Sequence, residues 1–179
     1  MPTVSVVIPV YNCAPFISET LQGVAKQSFR DLEVIVVDDG SSDDTGSVVQ
    51  KFDPAIRYLR QENQGPAAAR NRGVNSAGGE FIAFCDHDDV WNEQHLEQSL
   101  NCFKTHPNAA MVFSDASFCR AKDEAGETHI AAKVLRRMID RPVSISDIWD
   151  CWIASMSVVL VRKSVFDALG GLQPKIWGL

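Results

Sequence analysis

Two short runs constrain this chain more than anything else in it. Thr3–Val10 (TVSVVIPV) and Leu32–Val37 (LEVIVV) are β-branched and apolar on both faces. A strand with one wet face alternates polar and apolar residues; strands that do not alternate are covered on both sides, as in a parallel sheet between helical layers. Between the two runs Ile17, Leu21 and Val24 recur at helical spacing, with Pro15 suited to a first turn. After the second, DDGSSDDTGSVVQKF predicts a turn and then a helix whose start is rich in Ser and Asp. Ile56–Arg60 is a third, weaker strand, and GPAAARNRGVNSAGG is a helix with Pro66 in its first turn and glycines at its exit. Phe81–Cys85 is a fourth strand, and DVWNEQHLEQSLNCF a helix after it. Four strand–helix units in about 100 residues predict an α/β sandwich with right-handed crossovers.

From residue 109 the rhythm changes. AAMVFSDASF reads as a strand, RAKDEAGETH as a polar loop or hairpin, and Ser144–Ile153 as a short helix. Ser157–Val161 is another strand, and SVFDALGG a last helical turn. The 179 residues suit one domain with a real core and are short for two. A formal net charge of −6 argues against binding nucleic acid by charge. Five cysteines, an odd count without C-x-x-C or Cys/His zinc spacing, suit a reducing compartment. MPTVSVVIPVYN has no basic residue ahead of its apolar run, unlike a signal peptide, and no apolar stretch approaches the ~20 residues of a spanning helix. The expectation is a soluble, cytoplasmic domain.

In a doubly wound sheet, ligands bind at the carboxyl ends of the strands. Three polar clusters fall there: Tyr11-Asn12, Asp38-Asp39-Gly40, and Asp86-His87-Asp88-Asp89. One such cluster is ordinary and caps the next helix; all three together put five carboxylates on one rim. Their repulsion and desolvation call for a positive partner. A divalent cation with hard oxygen ligands, its shell completed by a phosphate, answers that need. Known loops are excluded by spacing. A calcium loop starting at Asp86 would place Val90 at its fifth ligand and Trp91 where the turn needs glycine. PVYNCA after the first strand is not a dinucleotide-binding glycine fingerprint, and no P-loop is present.

SVVIPVYN, VIVVDDGSSDDT, ENQGPAAARNRG and GEFIAFCDHDDVW, in this order and at this spacing, resemble family 2 glycosyltransferases, inverting sugar-nucleotide enzymes of the GT-A fold. The likeness is close over residues 3 to 100 and thins beyond, where MSVVLVRKSVFDALGGL resembles the family's later strand and helix. It implies a three-layer α/β sandwich around a mostly parallel sheet. It also implies that Asp86-His87-Asp88 bridges a nucleotide diphosphate through Mn²⁺ or Mg²⁺, with Asp88 the direct metal ligand and Asp86 nearer the ribose or the metal's water shell. His87 stands where an aspartate is sometimes found, as a ligand, a hydrogen-bonding group or a bystander. The plain alternatives are a helix N-cap for Asp88 and a favourable helix-dipole charge for Asp89. Asp39 matches the carboxylate that accepts a hydrogen bond from the base, Tyr11 the ring that packs on the base, and Pro9 a shaper of that pocket. Arg70 matches a residue near the base and phosphates. Asp38 reads as a turn residue, Asn63 and Gly65 as loop-shapers, and Arg72 as surface.

The implied reaction moves a sugar from a nucleotide-diphosphate donor, UDP-linked in the favoured reading, to a hydroxyl of a glycan or other acceptor in polysaccharide or cell-wall glycan synthesis. The alternative is a non-catalytic or truncated nucleotide-sugar-binding module; a nucleotidyltransferase would want a basic glycine-rich loop where PVYNCAPF stands. In the family the base that deprotonates the acceptor follows the G-G-[FL] segment. Here Gly170-Gly171-Leu172 is followed only by QPKIWGL, without an acid, so the base is expected beyond Leu179, with Asp115 the internal rival. Residues 1–179 are thus expected to form one GT-A-like domain, with 1–105 the nucleotide-sugar half and 106–179 a truncated acceptor half. Trp149, Trp152 and Trp177 suggest apolar surface for a homodimer, and the longer protein leaves room for peripheral association with the inner membrane face.

Overall fold

The computed structural model describes residues 1–114 and 156–173. The elements in chain order are β1 (Val4–Val10), α1 (Ile17–Ala25), β2 (Leu32–Asp38), α2 (Thr45–Phe52), β3 (Arg57–Arg60), α3 (Pro66–Asn75), β4 (Phe81–Phe84), α4 (His95–Thr105), β5 (Met111–Phe113), a 3₁₀ turn (Met156–Val158), β6 (Val159–Arg162) and α5 (Lys163–Ala168). The described strands form one sheet in the order β3-β2-β1-β4-β6-β5. It is parallel from β3 to β4, and β6 runs antiparallel to both β4 and β5. This is the mostly parallel α/β sandwich that the unalternating strands predict.

The period-2 geometry of the strands sends their side chains into two cores. Val4, Val6, Ile8 and Val10 of β1 pack with Ile17 and Leu21 of α1, Val49 of α2 and Leu96 of α4 on one face. On the other, Val7, Ile82 and Phe84 meet Val74 of α3 and Phe166 of α5, while Ile35 and Val37 meet Ala69 of α3. Helix α3 lies close to the sheet because its packed residues are small: a Cβ on Gly73 would come 2.3 Å from a Val7 methyl.

Pro9 sits inside a central strand without breaking the ladder. Val7 points its carbonyl toward β4, where Cys85 N–H donates to it at 3.1 Å, and Val10 points its carbonyl toward β2. Position 9 shares the parity of Val7, so its missing N–H faces β4, whose pairing with β1 has already ended at Val7↔Phe84.

Three local expectations shift. Pro15 lies in the turn before α1 rather than in its first turn. Ser157 belongs to the 3₁₀ turn that precedes β6. The helix expected from Asp89 begins only at His95. Long-range bonds hold the intervening residues out of helical geometry: the Trp91 indole N–H donates to Ser157 O at 2.9 Å, and Gln27, with no exposed surface, donates to Asn92 O at 2.7 Å and accepts from Leu96 N at 3.0 Å. Asp88 is therefore no N-cap, since Gln94 takes that position, and Asp89 lies too far ahead of α4 to act on its dipole. Asp115, the segment 120–129, the expected helix 144–153 and Trp149, Trp152 and Trp177 lie outside the described residues. No described helix is long and apolar enough to cross a membrane.

Candidate donor site at the sheet's switch point

β1 has β2 on one side and β4 on the other, so the strand order reverses at β1. Its pairing with β4 stops at Val7, whereas its pairing with β2 runs on to Val10↔Asp38. The carboxyl ends of β1 and β4 thus part three residues before those of β1 and β2, which is where an open α/β sheet offers a ligand crevice.

Asp39 N–H donates to Val10 O at 2.9 Å, so Tyr11 and Asp39 emerge side by side from neighbouring strands. Tyr11 is half exposed, 50%, with its ring free to cover a ligand. Asn12, at φ +49, accepts from Ser42 N–H at 2.8 Å and ties the β1 loop to the β2 loop. Asp38 is wholly buried: it accepts from Ser41 N–H at 2.7 Å and from the Tyr58 hydroxyl. Burial, then the hydrogen bond to Asp38, pushes the Tyr58 phenol up to about 12, so it keeps its proton and donates. Asp38 is a structural turn residue, as its place before Gly40 suggests. Asp39, 4% exposed, accepts from Gln61 Nε2 at 2.7 Å and Gln64 N–H at 2.9 Å on Oδ1, and from Gly65 N–H at 2.8 Å on Oδ2. One lone pair of Oδ2 remains for a ring N–H.

The tip of β4 is built differently. Asp86 N–H donates to Ser157 Oγ at 2.7 Å, and Thr20 Oγ1 donates to His87 O at 2.8 Å, so the loop is held by its backbone from two sides. Its carboxylates are left outward. Asp86 pairs with Arg70, the positive partner that the cluster calls for being supplied in part by the chain itself. The Arg70 Nε is buried with no hydrogen-bond partner among the described residues. Asp88 is exposed and makes no hydrogen bond or ion pair among them. The fold uses the backbone of His87, and its ring makes no hydrogen bond among the described residues. Burial, and then the negative charge of Asp89, Asp86 and Asp88, hold the Cys85 thiol well above its ordinary pKa, so it is no nucleophile.

No three His, Cys, Asp or Glu side chains converge on a metal cage among the described residues. Asp86 and Asp88 instead offer two hard oxygen ligands, a set that fits Mg²⁺ or Mn²⁺ completed by phosphate oxygens and water.

Pro9, Tyr11 and Asp39 thus stand at the carboxyl ends of β1 and β2, with Pro9 buried, Asp86, His87 and Asp88 follow β4, and Arg70 of α3 bonds Asp86. Gln61, Thr20, Gln27 and Ser157 escape a reading of the sequence. Each acts through a partner tens of residues away, which no local pattern reveals. Gly65 does more than shape a loop: at φ +86 its amide is one of the three donors to Asp39.

A family model described as Glycosyl transferase family 2 matches residues 5–170. An uncharacterized glycosyltransferase of Rickettsia felis is 38% identical over 123 residues, 68% of this chain and 20% of that protein. Among solved structures, Staphylococcus aureus TarS 1-349 in complex with UDP superposes with a TM-score of 0.77 at 24% identity, over 99% of this chain and 52% of that one. The mannosyltransferase PcManGT of Pyrobaculum calidifontis, in complex with GDP-Man and Mn²⁺, gives 0.70 at 23% identity, over 98% of this chain and 48% of that one. The chain therefore spans about a fifth to a half of these proteins.

Proposed function

The chain belongs to glycosyl transferase family 2, and on that premise we propose that it transfers a sugar from a UDP-linked donor to a hydroxyl of a glycan or other acceptor, with inversion and with Mn²⁺ or Mg²⁺. The observation that carries the reading is the pairing of two unlike carboxylate tips across one crevice. Asp39 is a buried acceptor with one lone pair left; it suits the ring N–H of uracil, and equally that of guanine, and rejects cytosine, which has none. Tyr11 covers the base, and Pro9 helps shape the pocket beneath it. Asp86 and Asp88 would hold the cation, and Arg70 would then exchange Asp86 for a phosphate oxygen. Bound there, the cation offsets charge growing on the leaving diphosphate. The acceptor hydroxyl attacks the anomeric carbon in line, the glycosidic bond forms as the bond to the diphosphate breaks, and the hydroxyl proton passes to a base. Asp167, the last acid in the chain, is tied to Lys163 at 2.8 Å on α5, and we assign it no part in that step.

A melting-temperature panel with UDP, GDP, TDP and CMP, each with and without Mn²⁺, tests the reading. A ligand bound to the folded state alone stabilises it by about 2.7 kcal/mol at 100 times its Kd. UDP, GDP and TDP with Mn²⁺ are expected to raise the melting temperature more than CMP, which has neither the ring N–H nor the second phosphate. Equal shifts for CMP and UDP, or none for any nucleotide, would overturn it.

A further inference from the structure

Helix α3 carries, at consecutive positions, the arginine that holds Asp86 and an asparagine that holds a segment 101 residues away. Asn71 Nδ2 donates to Leu172 O at 2.8 Å, and Leu172 N–H donates to Asn71 Oδ1 at 2.8 Å. The side-chain amide thereby satisfies both backbone groups of one residue. Gly170 and Gly171, at φ +75 and +81, turn the chain into this clasp after α5. At Gly171 a Cβ would stand 2.8 Å from Asn71 Oδ1, whereas at Gly170 it would meet nothing within 4 Å. The amide reaches Leu172 only because residue 171 has no side chain.

The same ten-residue helix is anchored at its start by Asp39, through the amides of Gln64 and Gly65. Both carboxylate tips and Leu172 are thus fastened to one short rod. Its packed face, Ala67, Ala69, Gly73 and Val74, lies tightly on the sheet, with Val7 filling the space at Gly73, so the helix transmits a pull at one end to the other as a stiff unit. Arg70, its Nε without a partner among the described residues, is poised to change partners when a cation takes Asp86.

We infer that Asn71 is a positioning residue: it locks the Gly171-Leu172 turn to α3, so that occupancy of the donor site and the placement of Leu172 are linked. The inference rests on the donor-site reading above. Linkage is reciprocal, so whatever factor the ligand adds to closure of the clasp, the closed clasp adds to ligand affinity.

Hydrogen exchange at the Leu172 amide, with UDP and Mn²⁺ titrated onto the full chain and affinity measured by calorimetry, tests this. In the wild type, saturation is expected to raise Leu172 protection about tenfold, within the usual range of coupling between sites. Asn71→Ala should remove that protection and weaken UDP by a similar factor. Gly171→Ala, which crowds the Asn71 amide while leaving every residue of α3 in place, should do the same, and it decides the matter if Asn71→Ala fails to fold. Leu172 protection indifferent to UDP, with wild-type affinity in either variant, would make the clasp merely structural and overturn the inference. A wild type that binds no UDP in the presence of Mn²⁺ would instead sink the donor-site reading, and the inference with it.

Discussion

The tips of β2 and β4 each end in adjacent or near-adjacent aspartates, yet the fold treats them in opposite ways. At β2, Asp38 and Asp39 are 0% and 4% exposed and between them accept from a serine amide, a tyrosine hydroxyl, a glutamine side chain and two loop amides. At β4, Asp86 pairs with Arg70, Asp88 has no partner among the described residues, and the backbone around them is held by Ser157 and Thr20. A carboxylate buried among donors is preorganised and rigid; it recognises by shape and by the acceptor it has left over. A carboxylate left in partial solvent with like-charged neighbours stores repulsion that a cation relieves. On the function proposed above, the first kind of tip suits a reader and the second a socket.

The largest effect on stability expected from this contrast is at β2. Asp38→Ala strips the part-buried Tyr58 hydroxyl and the buried Ser41 amide of their acceptor. A buried donor left unpaired costs about 1–3 kcal/mol, and the Tyr58 hydroxyl costs less because water reaches it, so the loss should be about 2–3 kcal/mol. Urea denaturation measures it, and Asp38→Asn, which keeps one acceptor oxygen, should lose less. A loss below about 1 kcal/mol would mean that the β2 tip is not closed in the sense argued here.

At the other tip the same substitution should leave the fold alone. Asp88→Ala breaks no described bond and relieves repulsion, so stability without metal should hold or rise by a few tenths of a kcal/mol. What falls is affinity for UDP in the presence of Mn²⁺, by about 100-fold or ~2.7 kcal/mol. Calorimetry showing the mutant binding UDP with Mn²⁺ as tightly as the wild type would end the socket reading.

How much of this contrast can be read in the residues themselves differs between the tips for the same physical reason. β1, β2 and β4 announce themselves because burial leaves an apolar signature, and the aspartates stand out against it, whereas the edge strand β3 (RYLR) is faint. Whether an aspartate is closed or open depends on partners that are remote in sequence. Tyr58 is 20 residues from Asp38, and Ser157 is 71 from Asp86. The late start of α4 is hidden likewise. Asp89 to Phe103 has the apolar spacing of a helix, but Trp91 and Asn92 are claimed by Ser157 and Gln27. Local periodicity reports what a segment could do alone, and buried long-range hydrogen bonds decide what it does. The paired glycines at 170 and 171 are visible as a turn, but not the asparagine that needs one of them small.

The smallest expected effect is a sum. If the β2 tip reads the base and the β4 tip holds the cation, Asp39→Ala should weaken UDP and the bare nucleoside uridine alike. It should leave the Mn²⁺ dependence of UDP binding as it was. Asp88→Ala should weaken UDP with Mn²⁺ and leave uridine untouched, because uridine has no phosphate to bridge. The two carboxylates share no hydrogen-bond partner among the described residues: Asp39 is fastened to the Gln61–Gly65 loop, while Asp88 is tied neither to it nor to α3. Losses at sites without shared partners add to within about 0.3–0.5 kcal/mol, so a double-mutant cycle on UDP affinity at fixed Mn²⁺ should close to that margin. A coupling of more than about 1 kcal/mol would show that the tips act as one unit through α3. An Asp39→Ala variant that lost its response to Mn²⁺ yet bound uridine normally would reverse the assignment of reader and socket altogether.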